Sequence, residues 1–102
     1  MLSSPNPLSI AASVLARTTI ECVLRSPSYH ARGWQILDRW AFNYPDRLRR
    51  LEADGEVILL GRLLEQQCIE HDVMSSDEGF EQRRHGLTEH EILTLHGVVV
   101  EL

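Results

Sequence analysis

Apolar residues recur at helical spacing along most of this chain, and short polar or proline-containing breaks divide the pattern into segments. At about 100° per residue, Tyr29, Gly33, Ile36, Leu37 and Trp40 fall on one side of a helix, with Trp34 and Ala41 extending its edge. Gln35, Asp38, Arg39 and Arg32 take the opposite side, and Phe42 lies among them. Four of the six aromatic residues lie within positions 34–44, and aromatic side chains bury the most area per residue. This stretch therefore predicts a central helix from Tyr29 to about Phe42, capped by Ser28. The core is expected around Trp34, Leu37, Trp40, Leu60 and Leu64. Gly33 inside the helix costs about 1 kcal/mol relative to alanine. Close approach of the preceding helix would explain it.

The same pattern organises the rest. Residues 1–6 read as a loose arm, and Pro7 can open a helix. From 8 to about 25, Leu8, Ala11, Ala12, Leu15, Cys22 and Val23 form a stripe with Thr18 and Thr19 beside it, and Ser26-Pro27 stops the helix. Ile10 and Val14 lie nearly opposite. A short basic helix is expected from Asp46 to Ala53, opened by Pro45 and stopped by Gly55. From 56 to about 73 a long helix shows Val57, Leu60, Gly61, Leu64 and Cys68 as its main face, with Ile58, Leu59 and Ile69 off that face. Residues 74–86 read as a polar loop with at most a helical turn at 80–84. Thr88 and Glu91 form a capping box, Leu87 and Ile92 a hydrophobic staple, and Gly97 a stop, so 89–96 is a short helix. Val98-Val99-Val100 favours an extended tail. The expected fold class is all-α: a single domain over 1–102, a small bundle of four to five helices with short connections.

Composition changes this picture little. The proportions, 43% apolar and 25% charged residues, suit a soluble globular domain. Cys22 and Cys68 are far apart and in no metal-ligand spacing, and the expectation is two buried, reduced thiols. No apolar run reaches the length of a membrane span, and no positive residue precedes Arg17, so neither a membrane anchor nor a signal peptide is expected. Charge is more informative. The net charge is −5, yet residues 1–51 carry seven Arg against three acids and residues 52–102 carry three Arg against twelve. All ten basic side chains are arginine, which suits bidentate pairing with carboxylate or phosphate. A half-basic, half-acidic chain can also pair within itself or with a second copy.

The search for chemistry is mostly negative. His71, His85, His90 and His96 share the acidic half, but His90 and His96 point to different helix faces and no His-Glu-x-x-His occurs. Neither cysteine has an activating base in its pattern, and no nucleophile elbow, phosphate-cradling loop or dinucleotide fingerprint is present. No enzymatic activity, metal or cofactor is expected. Residues 87–95 resemble the opening of helix-turn-helix domains that begin Leu-Thr-x-x-Glu, but the segment carries no Arg or Lys and is read as a capped helix. The candidate partner-binding residues are Arg32, Arg39, Phe42, Arg47, Arg49 and Arg50. An aromatic stranded among arginines is a common interface composition, and arginine clusters also contact phosphate.

The stretch 29–43 with its two tryptophans and Phe42, together with Leu63-Leu64-Glu65-Gln66-Gln67 and Gly86-Leu87-Thr88-Glu89-His90-Glu91-Ile92-Leu93, resembles small accessory proteins of bacterial replicative transposons, described as transposase repressors. The resemblance implies a cytoplasmic, non-enzymatic regulator carried on a mobile element, with no functional residues carried over. It leaves open whether the target is DNA, messenger RNA or the transposase itself; across all readings a protein partner, the transposase or a host effector, is expected ahead of nucleic acid. Small size and acidity fit an anti-CRISPR-type inhibitor of a host effector equally well, and a helical self-assembly module is the third class. A homodimer is expected because Ile10, Val14, Ile58, Leu59 and Phe42 exceed what one small bundle easily hides.

Overall fold

A computed structural model describes residues 8–102; the expected N-terminal arm and Pro7 lie outside the described residues. Among these, the chain is all-helical. A 3-10 turn, Ala11–Ser13, precedes α1 (Arg17–Arg25), α2 (Ala31–Asn43), α3 (Pro45–Asp54), α4 (Glu56–Ser75), α5 (Asp77–Arg84) and α6 (Glu89–Leu95). Residues 98–102 then run extended.

Two elements differ from the expectation. The first helix is split in two. Its break at Val14–Ala16 is fixed by carboxylates distant in sequence: Asp38 Oδ1 accepts from the Ala11 N–H at 2.9 Å and Glu52 Oε2 from the Ala16 N–H at 2.9 Å. Each satisfies a backbone donor that a helix start leaves unpaired. The second difference is α5, which occupies most of the expected 74–86 loop. Ser76 caps it, its hydroxyl accepting from Gly79 N–H at 3.0 Å and donating to the Val73 carbonyl at 2.7 Å. Asp77 and Glu78 sit in its first turn and Arg83 and Arg84 in its last, matching the helix dipole. These signals are in the sequence; the low apolar content of 75–86 hides them. The sixth α-helix is α5; the split of the first helix adds a 3-10 turn and no α-helix.

The central helix matches closely. Tyr29, Ile36, Leu37, Trp40 and Ala41 are all buried, with Leu37 and Trp40 fully so, while Trp34, Leu60 and Leu64 pack on the core half-buried. Its cap is His30 rather than Ser28: the His30 Nδ1 accepts from the Arg32 N–H. Leu8, Ala11, Leu15, Ile20, Val23, Leu48, Leu59 and Leu63 complete this main core, and Met74, Ile92 and Leu93 form a second, smaller one. Gly33 is explained by α4 rather than by the first helix. A side chain there would collide with Gln67 Oε1, whose amide bridges from the Ser28 carbonyl (Nε2, 2.9 Å) to the His30 N–H (3.2 Å). The capping box at the start of α6 is formed in both directions.

Helix α4 is rotated about its axis from the expected face: Leu60 and Leu64 still pack on the core, but at its edge. Its buried residues are Leu59, Leu63, Gln66, Gln67, Glu70 and Met74, whereas Val57, Gly61 and Cys68 of the expected main face are exposed. The inward face is half polar, and burial of polar groups is tolerable only where each is hydrogen-bonded. Glu70 accepts from Arg39 Nη2 at 2.7 Å and Nη1 at 3.3 Å, and from Gln66 Nε2 at 2.7 Å. With its polar groups satisfied inward, α4 leaves apolar side chains outward, which hydrophobic periodicity alone reads the wrong way round.

Candidate interaction surface

The six candidate residues separate into two groups. Arg32 and Arg39 turn into the fold: Arg32 Nη1 pairs with Glu89 at 2.6 Å, and Arg39 pairs with Glu70, which is only 1% exposed. Both ion pairs join the basic half to the acidic half within one chain. Phe42, Arg47, Arg49 and Arg50 remain exposed near the α2–α3 corner, Phe42 at 73%. Arg47 lies over the Tyr44 ring at 5.8 Å and donates to a Leu102 main-chain oxygen at 2.7 Å, and Arg49 lies 3.5 Å from Asp46.

A second surface, on the outward side of α4, is where sequence reasoning expected core. Val57 is 82% exposed, Ile58 54% and Ile69 41%; Gly61 and Cys68 are exposed, and Leu60 and Leu64 half-buried. The stripe Val57, Leu60, Gly61, Leu64 and Cys68 runs along the helix at three- and four-residue steps, the geometry by which one helix packs on another. Beside it lies a shallow groove of about 450 Å³, lined by Cys22, Arg25, Ser26, Ser28, Tyr29, Leu60 and Leu64. Tyr29 forms its floor, donating through its hydroxyl to the Leu60 carbonyl at 2.6 Å, and burial pushes its phenol above the ordinary range. Of the residues expected to form a dimer contact, Ile10, Ile58 and Phe42 are exposed and Val14 is half-buried. Leu59 is fully buried and unavailable to a partner, because it sits on the core face of α4.

Both cysteines are exposed, contrary to the expected buried thiols. Cys22 turns away from the core because Thr19 and Val23 occupy that side of α1, and Cys68 lies on the outward stripe of α4. The Glu56 carboxylate beside Cys22 raises its thiol above the ordinary range, which suppresses the reactive thiolate. Among the described residues no three of His, Cys, Asp and Glu converge as metal ligands, and no helix is long and apolar enough to cross a membrane.

Comparison with known protein families, curated proteins and solved structures finds no match to this chain.

Proposed function

We propose that this chain is a non-enzymatic regulator that acts by occupying a protein partner, with the outward face of α4 as its main contact. The observation that carries the reading is the exposed side of α4, where Val57, Ile58 and Ile69 stand out with Gly61 and Cys68 and where Leu60 and Leu64 lie half-buried at the edge of the core. Contiguous exposed apolar surface on a small soluble chain is characteristic of an interaction site, and half-buried anchors beside a groove are where contact energy concentrates. Phe42, Arg47, Arg49 and Arg50 form the second contact, a basic patch that suits an acidic rim on the partner. The resemblance to transposon accessory proteins makes a transposase the first partner to test and a host CRISPR effector the second. The experiment titrates the purified transposase of the same element with wild-type chain and with Val57→Asp/Ile69→Asp, both checked for equal helicity. Binding by the wild type and at least about tenfold weaker binding by the variant supports the assignment. Equal binding by both removes the α4 face from consideration.

Self-association through the same face is the second reading, and Gly61 favours it. A methyl group there would meet nothing within 4 Å, so nothing among the described residues requires a glycine in the middle of a twenty-residue helix. The notch it leaves would take a side chain from α4 of a second copy crossing it about a two-fold axis.

A further inference from the structure

The extended tail, residues 98–102, is held in an unusual way. Its contacts are side-chain donors aimed at its main-chain oxygens. Gln66 Nε2 donates to Val99 O at 2.9 Å, Arg39 Nη2 and Trp40 Nε1 donate to Val100 O at 3.0 and 3.2 Å, and Arg47 Nη1 donates to a Leu102 oxygen at 2.7 Å. In return the tail offers one main-chain donor, Val98 N–H to Leu93 O at 2.9 Å, and no other among the described residues. Its side chains alternate as in a strand. Val98, Val100 and Leu102 are half-buried against the two cores, and Val99 and Glu101 face outward.

We propose that the channel between α2 and α4 is a receptor for an extended aliphatic segment, filled in the isolated chain by its own residues 98–102 and open to the same segment of a second copy. Four observations support this. The donors read main-chain oxygens, the way peptide-binding grooves hold a strand, while alternate side chains give selectivity. Two of the four donors have a partner apart from the tail: Arg39 and Gln66, both on the buried Glu70. The tail joins the body at Gly97, whose φ of +73° is a conformation that glycine adopts without strain. A groove of about 450 Å³ lies beside this joint, lined in part by Arg62, Ile69, Val73 and Val98, leaving room for the strand to lift away.

The occupant follows from the cost of vacancy. With the tail lifted, Trp40 Nε1 has no acceptor, Gln66 loses one of its two, and the buried Arg39–Glu70 pair loses the carbonyl that completes it, so an empty channel is strongly disfavoured. Exchange of one strand for another is then favoured over release. A second copy carries a strand already complementary to the channel. This site is separate from the outward face of α4 and does not depend on the reading given to that face.

The test uses isotope-labelled full-length chain and an unlabelled peptide of the sequence of residues 97–102, followed by NMR. Because the tethered tail competes at an effective concentration of about 1 mM, the titration extends to about 10 mM. A second labelled full-length chain, Val100→Ala/Leu102→Ala, weakens the tail and leaves the channel intact. The expected result is a saturable movement of the chain's own labelled tail amides to positions of unstructured chain, while the Trp40 indole and Gln66 amide resonances keep their bound positions because the peptide supplies the same oxygens. Binding should be at least about tenfold tighter in the weakened variant, and unlabelled wild-type chain should reproduce the shifts. Tail amides that do not move up to the end of the titration, or shifts confined to Val57, Gly61 and Cys68, overturn the proposal. A channel that takes the peptide but not the tail of the unlabelled chain overturns the second-copy assignment. If the double variant loses helicity, the wild-type titration decides alone.

Discussion

Trp40 joins more of the structure than any other side chain. It is fully buried, its indole nitrogen holds Val100, and the Arg62 guanidinium lies 5.2 Å from its ring centroid, within cation–π range. Trp40→Ala should cost about 3–5 kcal/mol, read as a lowered midpoint in urea, and an unchanged midpoint would remove Trp40 from the core. The Arg39–Glu70 pair makes a different kind of contribution. Removing Arg39 leaves the buried Glu70 carboxylate without its cation, so Arg39→Ala should destabilise by about 3 kcal/mol. Arg39→Met together with Glu70→Met should cost less than Arg39→Ala alone, because no unpaired charge remains. The reverse order in urea denaturation would show that the pair is worth more than its removal as a unit. Arg39 was legible as a charged residue on the polar side of α2, and pairing with the acidic half was one of its possible fates. The particular partner was not legible, since Glu70 lies 31 positions away on a face that looks polar and therefore external.

At the scale of elements, two glycines in helices separate internal from external constraint. Gly33→Ala drives a methyl into Gln67 Oε1, displacing the amide that joins α4 to the start of α2, and should lower the melting temperature. Gly61→Ala meets open space and should stabilise the isolated chain by about 1 kcal/mol through helix propensity. Calorimetry giving both changes the same sign would contradict these assignments. Helix α6 depends on pH through its cap. The Thr88 backbone N–H and hydroxyl hold Glu91 below the usual carboxylate range. A group with a depressed folded value stabilises above its unfolded value and loses that contribution as pH falls through the folded one. Amide protection factors in α6, corrected for the intrinsic pH dependence of exchange, should therefore fall on acidification below the ordinary glutamate range and stay level from there to neutrality. Tyr29 acts at the other extreme. Its raised phenol means that the folded state keeps its proton longer, so stability should fall as pH rises past the ordinary tyrosine value.

As a whole, the molecule is flatter than an isolated globule of its length. The Cα radius of gyration is 14.3 Å and the principal extents are 40 × 39 × 25 Å, against a radius of about 12–13 Å for a compact domain of this size. A flattened body covers the long α4 on one side and leaves the other uncovered, which makes the apolar stripe a property of the shape. Sedimentation across concentration should separate the two readings of that stripe. Concentration-dependent association abolished by Val57→Asp/Ile69→Asp assigns it to a second copy, and a monomer at all concentrations leaves it to a different protein.

The order of helices from Ser26 onward, the aromatic face of α2, the Pro45 and Gly55 boundaries and the Thr88–Glu91 cap were all determined by residues within a few positions of one another. Local signals of that kind act through backbone propensity and the helical repeat, which a sequence carries in full. What only the tertiary structure decided was the orientation of α4, the split of the first helix, and the inward pairing of Arg32 and Arg39. In each case a polar group finds its partner tens of residues away: Gln66 at Val99, Asp38 at Ala11, Glu52 at Ala16, Arg32 at Glu89. Periodicity assumes that polar side chains seek water. Here the fold satisfies them inside, and the apolar residues left over on α4 become the surface.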